Sequence, residues 1–404
     1  MIWFTVVIDL IGFGVALPVL GPYAKKHFSA SGTQVGLLIS AYSFAQFLFS
    51  PVLGRISDRV GRKPVIVFSL IGTAVGSLVT AMAGSLWLLF AARFFDGASG
   101  ASGSVAQAAV ADIAPPERRV ALLGMVGAAF GVGFTIGPAI AAVAAWLGGP
   151  RAPFFVAAAI SGANAVAAVI RLPETRPARP TRAAGGASSV RGHGVDAPTV
   201  DPVRTGARTW REGGLPVLIG VAFVSMLAFS AFEGTFSIFG TDRIGFTESG
   251  AAGAFVLIGL LISAVQGGLV GRVVKARGEL PVLRSGTALI AAGLAVMAAV
   301  QSWWLLVPAL VLLCLGQGMA SPTMSSVAVS RIAPDRRGAV LGVQQSANAL
   351  ARVLGPALGG WLFDRINPSA PYVGGAIVVA LCAIGLGVAQ RAPAPYAKTE
   401  QLLG

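Results

Sequence analysis

Apolar runs of helix length recur along this chain from end to end, separated by short charged or Pro/Gly-rich breaks. A helix needs about 20 apolar residues to cross a bilayer's hydrocarbon core, and a barrel strand about 10. The runs fall at 2–20, 34–53, 64–83, 86–111, 120–145, 152–171, 215–240, 250–270, 281–300, 303–330, 338–363 and 371–390. Their length predicts twelve spanning helices and argues against a barrel. Charge supports this, because only 11% of the 404 residues are charged, against about 25% in a soluble domain. The first run lacks a basic start, holds Asp9 and ends at Pro18 without a small-residue cleavage site. It reads as a span rather than a signal peptide.

The net charge of +14 is topogenic. Most of the 30 Lys and Arg fall in the loops on the side of the two termini. Lys25, Lys26, Arg151, Arg243 and Arg365 fall in the opposite loops, and Arg93 and Arg352 lie inside spans. That asymmetry predicts a cell-membrane protein with both termini cytoplasmic. No basic face interleaved with aromatics is present for nucleic acid.

The stretch 173–213, rich in Arg, Pro, Gly and Ser without an apolar period, reads as a flexible cytoplasmic linker. It divides the chain into residues 1–172 and 214–404, six spans each. Gly54-Arg55 recurs as Gly271-Arg272, and Gly137-Pro138-Ala139 as Gly355-Pro356-Ala357. Ala114-Pro115 and Arg118-Arg119 recur as Ala333-Pro334 and Arg336-Arg337. One offset of 217–219 residues relates all these pairs. The expected architecture is therefore an all-α integral membrane protein of two pseudo-symmetric six-helix halves. Such repeats suit alternating access, with a substrate site between the halves.

Gly54-Arg-Ile-Ser-Asp58-Arg59-Val-Gly61-Arg62-Lys63, between spans 2 and 3, resembles the loop signature of the major facilitator superfamily. The run from Asp9 to Leu20 resembles the first span of that superfamily's twelve-segment drug:proton antiporters. Arg93-Phe-Phe-Asp96-Gly97 resembles their fourth-span motif, with Asp96 where Gln is usual. Gly131-Val-Gly133-Phe-Thr-Ile-Gly137-Pro138 is similar to their fifth-span antiporter motif, with Ala141-Ala142 in place of its closing Gly-Gly. The stretch from Gly54 to Asp112 is most like the tetracycline exporters, whose acidic residues in spans 3 and 9 align with Gly76 and Ser285. The resemblance implies a major facilitator fold. It also implies an ion-pair cluster of Asp58, Arg62 and Asp112 at a cytoplasmic gate, in which Gly54 and Gly61 allow close approach and a sharp turn.

A charge within a bilayer costs roughly 2.5–3.5 kcal/mol on insertion scales, so each one is a candidate functional group. Asp9, Arg93, Asp96, Glu233 and Arg352 are such charges. At 1.5 Å per residue, Asp9 and Asp96 lie roughly 16 and 15 Å from the outer ends of their spans, a common level. Arg93 and Asp96, three residues apart, share one helix face and can pair. An acid whose ionisation changes as the cavity opens to either side is what proton coupling requires. Asp9 is expected to carry the proton and Arg93 to tune it, with Asp96 sharing or substituting. Glu233, seven residues below an outer end, suits a cationic substrate, an outer gate or a wetted vestibule, and the residues leave these open. Arg352 suits a carboxylate partner or an anionic group.

Gln46, Gln107, Asn164, Gln344 and Asn348 are expected to face a cavity rather than lipid. Gly97, Gly100 and Gly103, with Gly133, Gly137 and Pro138 and the copies Gly355 and Pro356, read as small-residue packing surfaces. The bend at Gly137-Pro138 also suits gating, since proline removes one helix hydrogen bond. Phe44, Phe130 and Phe232 suit either packing or an apolar substrate.

The function expected is proton-coupled export of small, drug-like or amphipathic molecules by a monomer. A proton-coupled importer of a sugar or metabolite is the alternative, and a non-transporting sensor a further one. No Walker loop is present, so the energy source is a proton gradient and no cofactor is called for. No Ser/His/Asp set or metal cluster supports an enzyme.

Overall fold

The computed structural model describes residues 1–113, 116–175, 214–332 and 337–389. Most of the expected linker, Ala114-Pro115, Ala333-Pro334, Arg336 and the C-terminal tail lie outside these residues, as do the side chains of Phe130, Arg118, Arg119 and Arg337. The described residues are helical throughout apart from short connections. Before the undescribed segment come α1 (Ile2–Phe28), α2 (Gly32–Val60), α3 (Arg62–Met82), α4 (Leu86–Ser99), α5 (Ser102–Ile113), α6 (Pro116–Gly148) and α7 (Ala152–Arg171). After it come α8 (Leu215–Ile244), α9 (Glu248–Ala264), α10 (Val270–Arg277), α11 (Glu279–Ala298), α12 (Trp303–Ser330), α13 (Arg337–Arg365) and α14 (Ala370–Ala389). A π-helical turn, Val265–Leu269, joins α9 to α10.

Among the described residues, 10 helical stretches are long and apolar enough to cross a membrane. The two other expected spans depart from that standard for different reasons. The run 86–111 is not one helix: it stops at Ser99 and restarts at Ser102. Gly100 and Ala101 leave the helical path, and the freed Gly100 carbonyl accepts a hydrogen bond from Gln46 Nε2 at 2.8 Å. Irregular backbone at membrane depth survives only where protein or a cavity supplies such partners. The helix α13 is 29 residues long but carries Gln344, Gln345, Asn348 and Arg352 along its middle turns.

The first helix also exceeds its apolar run. It continues through Pro18 and Pro22 and closes at Ser29 in a left-handed conformation. Each proline removes one helix hydrogen bond, but both are buried among neighbours that hold the helix.

Contacts repeat between the two sets of helices. The first helix packs on α6 as α8 packs on α13, and α3 packs on α7 as α11 packs on α14. The two sets meet through α2 against α13 and α6 against α9. These are again the same pair under the 217–219 offset. Glycines set the approach. A Cβ at Gly14 would meet the Gly133 carbonyl, and one at Gly36 the Pro356 carbonyl. Gly137 lies against Gly14, and Gly355 against Leu227 and Ser230. The glycine motif thus builds both the α1–α6 and α8–α13 seams by backbone contact.

Candidate functional site

The face of the bundle where the chain begins is called near, and the opposite face distal. Three polar regions are built on this frame.

The first lies within α1–α7. Arg93 and Asp96 are 4% and 3% exposed, and Arg93 Nη1 donates to Asp96 Oδ2 at 2.9 Å. The expected pair forms because three helical residues bring both side chains to one face. The Arg93 guanidinium also lies over the Tyr42 ring, 4.7 Å from its centroid. Asp9 is partly buried and accepts a hydrogen bond from the Ser102 hydroxyl. The common level expected for Asp9 and Asp96 is therefore corrected. Because α1 runs on to Phe28, Asp9 is roughly 28 Å from its distal end, and it sits at the level of Ser102, beyond the helix break. The two acids remain close enough to repel each other, without sharing a hydrogen bond. Tyr42 and Ser102, which complete this cluster, were not expected. Tyr42 could have been found from its position one turn before Gln46, but nothing marks Ser102 apart from its place in the small-residue run Gly100-Ala101-Ser102-Gly103.

The second region is at the near face. Arg62 Nη1 lies 2.6 Å from Asp58 Oδ1, and Nε donates to Asp112 at 2.9 Å. The cluster expected of Asp58, Arg62 and Asp112 is present, and it lies entirely within α2, α3 and α5. Glu174 joins it unexpectedly, accepting from the backbone N–H of Arg62 at 2.9 Å and of Lys63 at 3.2 Å. It caps the free N–H groups of α3, so the expected linker begins with an anchored residue. Gly61, at φ 108, makes the sharp turn. Gly54 does not act as expected, since it is inside α2 with nothing within 4 Å of a Cβ there.

The third region is at the distal face, where ion pairs and hydrogen bonds tie α1–α7 to α8–α14. Lys25 Nζ donates to Asp242 at 2.5 Å, and Lys26 to Glu248 at 3.2 Å. Asp364, at the end of α13, accepts from the Gly32 N–H at 2.9 Å and from the Thr33 N–H and hydroxyl at 2.6 Å each. A carboxylate from one set thus caps the first turn of a helix in the other, where the helix dipole favours it. Burial alone would raise the Asp364 carboxyl, but the Thr33, Ser31 and Gly32 hydrogen bonds outweigh it and hold it below the ordinary 3.8. A depressed carboxylate stabilises the structure in which it is bonded above its ordinary value and loses that effect as pH falls through the depressed one. The tie is therefore intact at any pH above 3.8. Asp364→Asn is expected to loosen it at neutral pH, seen as a broadened spin-label distance between α2 and α13 at this face, and acidification to pH 5 of the unchanged chain is not.

The remaining expectations divide. Arg352 is exposed on α13, and its charge reaches both Glu233 and Tyr42, without an ion pair to Glu233 among the described residues. Glu233 is deeper than expected, because α8 runs to Ile244 and places it roughly 16 Å from that end. Gln344 and Asn348 line a cavity, and Gln107 is exposed. Asn164 is instead buried, donating to the Thr5 carbonyl at 2.9 Å across the α1–α7 seam. Phe232 is 1% exposed and stacks among Phe229, Phe236 and Tyr372, so it is packing. Phe44 is exposed. Gly97 closes on the Tyr42 backbone and Gly100 on Gln46, whereas Gly103 faces open space.

The Major Facilitator Superfamily family model matches residues 2–356 and 269–402. The chain belongs to that superfamily. It is 30% identical over 365 residues to the class C tetracycline resistance protein of Escherichia coli, covering 88% of this chain and 86% of that one. It is 28% identical over 391 residues to multidrug resistance protein 1 of Bacillus subtilis (strain 168), covering 96% and 94%. Among solved structures, the human organic anion transporter MFSD10 (TETRAN) superposes with a TM-score of 0.67 at 26% identity, covering 95% of this chain and 97% of that one. This major facilitator chain is thus a multi-pass membrane transporter of small molecules, akin to drug-efflux proteins.

Proposed function

We propose that the protein is a proton-driven exporter of small drug-like or amphipathic molecules, working as a monomer in the cell membrane with both termini cytoplasmic. Residues 1–172 and 214–404 form its two six-helix halves, which rock about the central space, with Leu86–Ile113 and α13 counted among the twelve spans. The near face is then cytoplasmic. The distal ties through Lys25, Lys26 and Asp364 hold the outer side closed, while the near cluster at Arg62 is built within the first half. This is the conformation that takes substrate from the cytoplasm.

The observation that carries the reading is the division of charge among the buried groups. Arg93 neutralises Asp96, and Arg352 acts on Glu233. Asp9 has a hydroxyl for a partner and a repelling acid nearby. It is the carboxylate left to gain or lose a proton. When ionised it accepts from the Ser102 hydroxyl, and when protonated it can donate to it. Ser102 opens α5 directly after the helix break, so protonation of Asp9 acts on the one joint in the fourth span. That is how a proton would move helices.

Expression in a strain lacking its own drug pumps tests the reading. Raised resistance to at least one of a broad set of compounds, abolished by a protonophore, is expected. Sensitivity equal to the empty strain across the set would count against export.

A further inference from the structure

A further cavity lies in the second set of helices, and its lining carries no charged side chain. There α8, α12 and α13 line a half-open cavity of about 40 Å³, with Ser225, Gln317, Ser321, Gln344 and Asn348 in its wall. Gln344 is 5% exposed and donates to Ser325 Oγ at 3.1 Å, while its Oε1 has no partner. Ser225 Oγ, in a residue 7% exposed, also has none. A buried acceptor left unmet costs free energy, so groups of this kind mark a place that water or a ligand fills. Counted at 1.5 Å per residue from the near ends of α8 and α13, Ser225 and Gln344 lie about 15 and 10 Å deep. The space takes a few waters or one small functional group, since a water needs about 10–15 Å³ of such room. The bulk of a molecule would remain in the central space between the halves.

The chemistry of the lining is selective. Each primary amide presents an acceptor oxygen and two donor hydrogens, and each hydroxyl presents both roles. No charged side chain lines the cavity, so a cation entering it would be desolvated without a counterion. The acid that could have served, Glu233, already has Arg352 acting on it. Met226 and Met324, with Ala222 and Ala320, complete the lining, and thioethers adapt to irregular apolar shapes.

We propose that this wall is the specificity subsite of the exporter and takes the hydroxyl or amide groups of uncharged polar compounds, in preference to lipophilic cations. The inference rests on the transport reading for its meaning, but its test needs no gradient. Chloramphenicol, uncharged with an amide and two hydroxyls, and tetraphenylphosphonium, a permanent cation without hydrogen-bonding groups, are titrated calorimetrically into the full chain in nanodiscs. Chloramphenicol is expected to bind at least ~10-fold tighter than the cation. Gln344→Leu and Gln317→Leu, on different helices in case one fails to fold, are each expected to weaken it by ~10-fold, the worth of one buried hydrogen bond. Tighter binding of the cation, no binding of chloramphenicol, or binding unchanged in both leucine variants would overturn the subsite. Normal binding without proton-driven flux would instead sink the exporter reading and leave the subsite standing.

Discussion

Replacing Asp9 by Asn removes proton-driven transport while leaving the folded protein in the membrane. The substitution keeps the shape and a hydrogen-bonding contact to Ser102, so the α1–α5 seam survives. What it removes is a carboxylate within the first span that is bonded to a hydroxyl rather than to a cation. Flux driven by a pH gradient is expected to fall to background. Gradient-independent binding of substrate is expected to persist, because the uncharged wall is untouched. Full proton-driven flux in Asp9→Asn would transfer the coupling role elsewhere, with Asp96 the first place to look.

Replacing Arg93 by Ala has a larger structural effect. It leaves the Asp96 carboxylate 3% exposed with its cation gone, and breaking a buried pair from one side costs about 3–5 kcal/mol. The Tyr42 ring loses the guanidinium above it as well. The yield of folded protein and its melting temperature are expected to drop sharply. Arg93→Ala combined with Asp96→Asn is expected to recover most of that loss, since no buried charge is then left over. Such recovery identifies the pair as a neutral structural unit. A double variant as unstable as the single one would mean that Arg93 serves groups other than Asp96.

Much of the fold was legible because a bilayer makes strong demands on a sequence. Apolar runs of fixed length placed the helices, and the repeated Gly-Pro-Ala triplets placed the two seams that the structure builds from Gly137 and Gly355. The Arg93–Asp96 pair followed from helical spacing, and the Arg62 cluster from the loop signature. Other features left no such trace. The break at Gly100 was hidden because glycine, alanine and serine do not interrupt hydropathy, and only the Gln46 side chain across the bundle reveals it. The first helix outran its apolar run because Lys25 and Lys26 leave the hydrocarbon without ending the backbone hydrogen bonds.

The polar residues were the least legible, because an amide in a span has the same one-dimensional signature whether it faces a cavity or a neighbour. Asn164 bonds to a backbone carbonyl and Gln344 turns into a cavity, and only packing separates them. Asp364 was missed entirely. Its partners Gly32 and Thr33 lie more than 300 residues away in sequence, where no local pattern can point.

Binding of substrate needs no proton gradient, and the inward gradient of the cell sets the direction of transport. Inside-out vesicles carrying the protein, acidified within, place the cytoplasmic face outward and mimic the cell's own gradient. Accumulation of chloramphenicol in their lumen, lost on adding a protonophore and absent with Asp9→Asn, is the result predicted. Accumulation that ignores the protonophore, or that occurs only in vesicles of the opposite orientation, would contradict a proton-driven exporter.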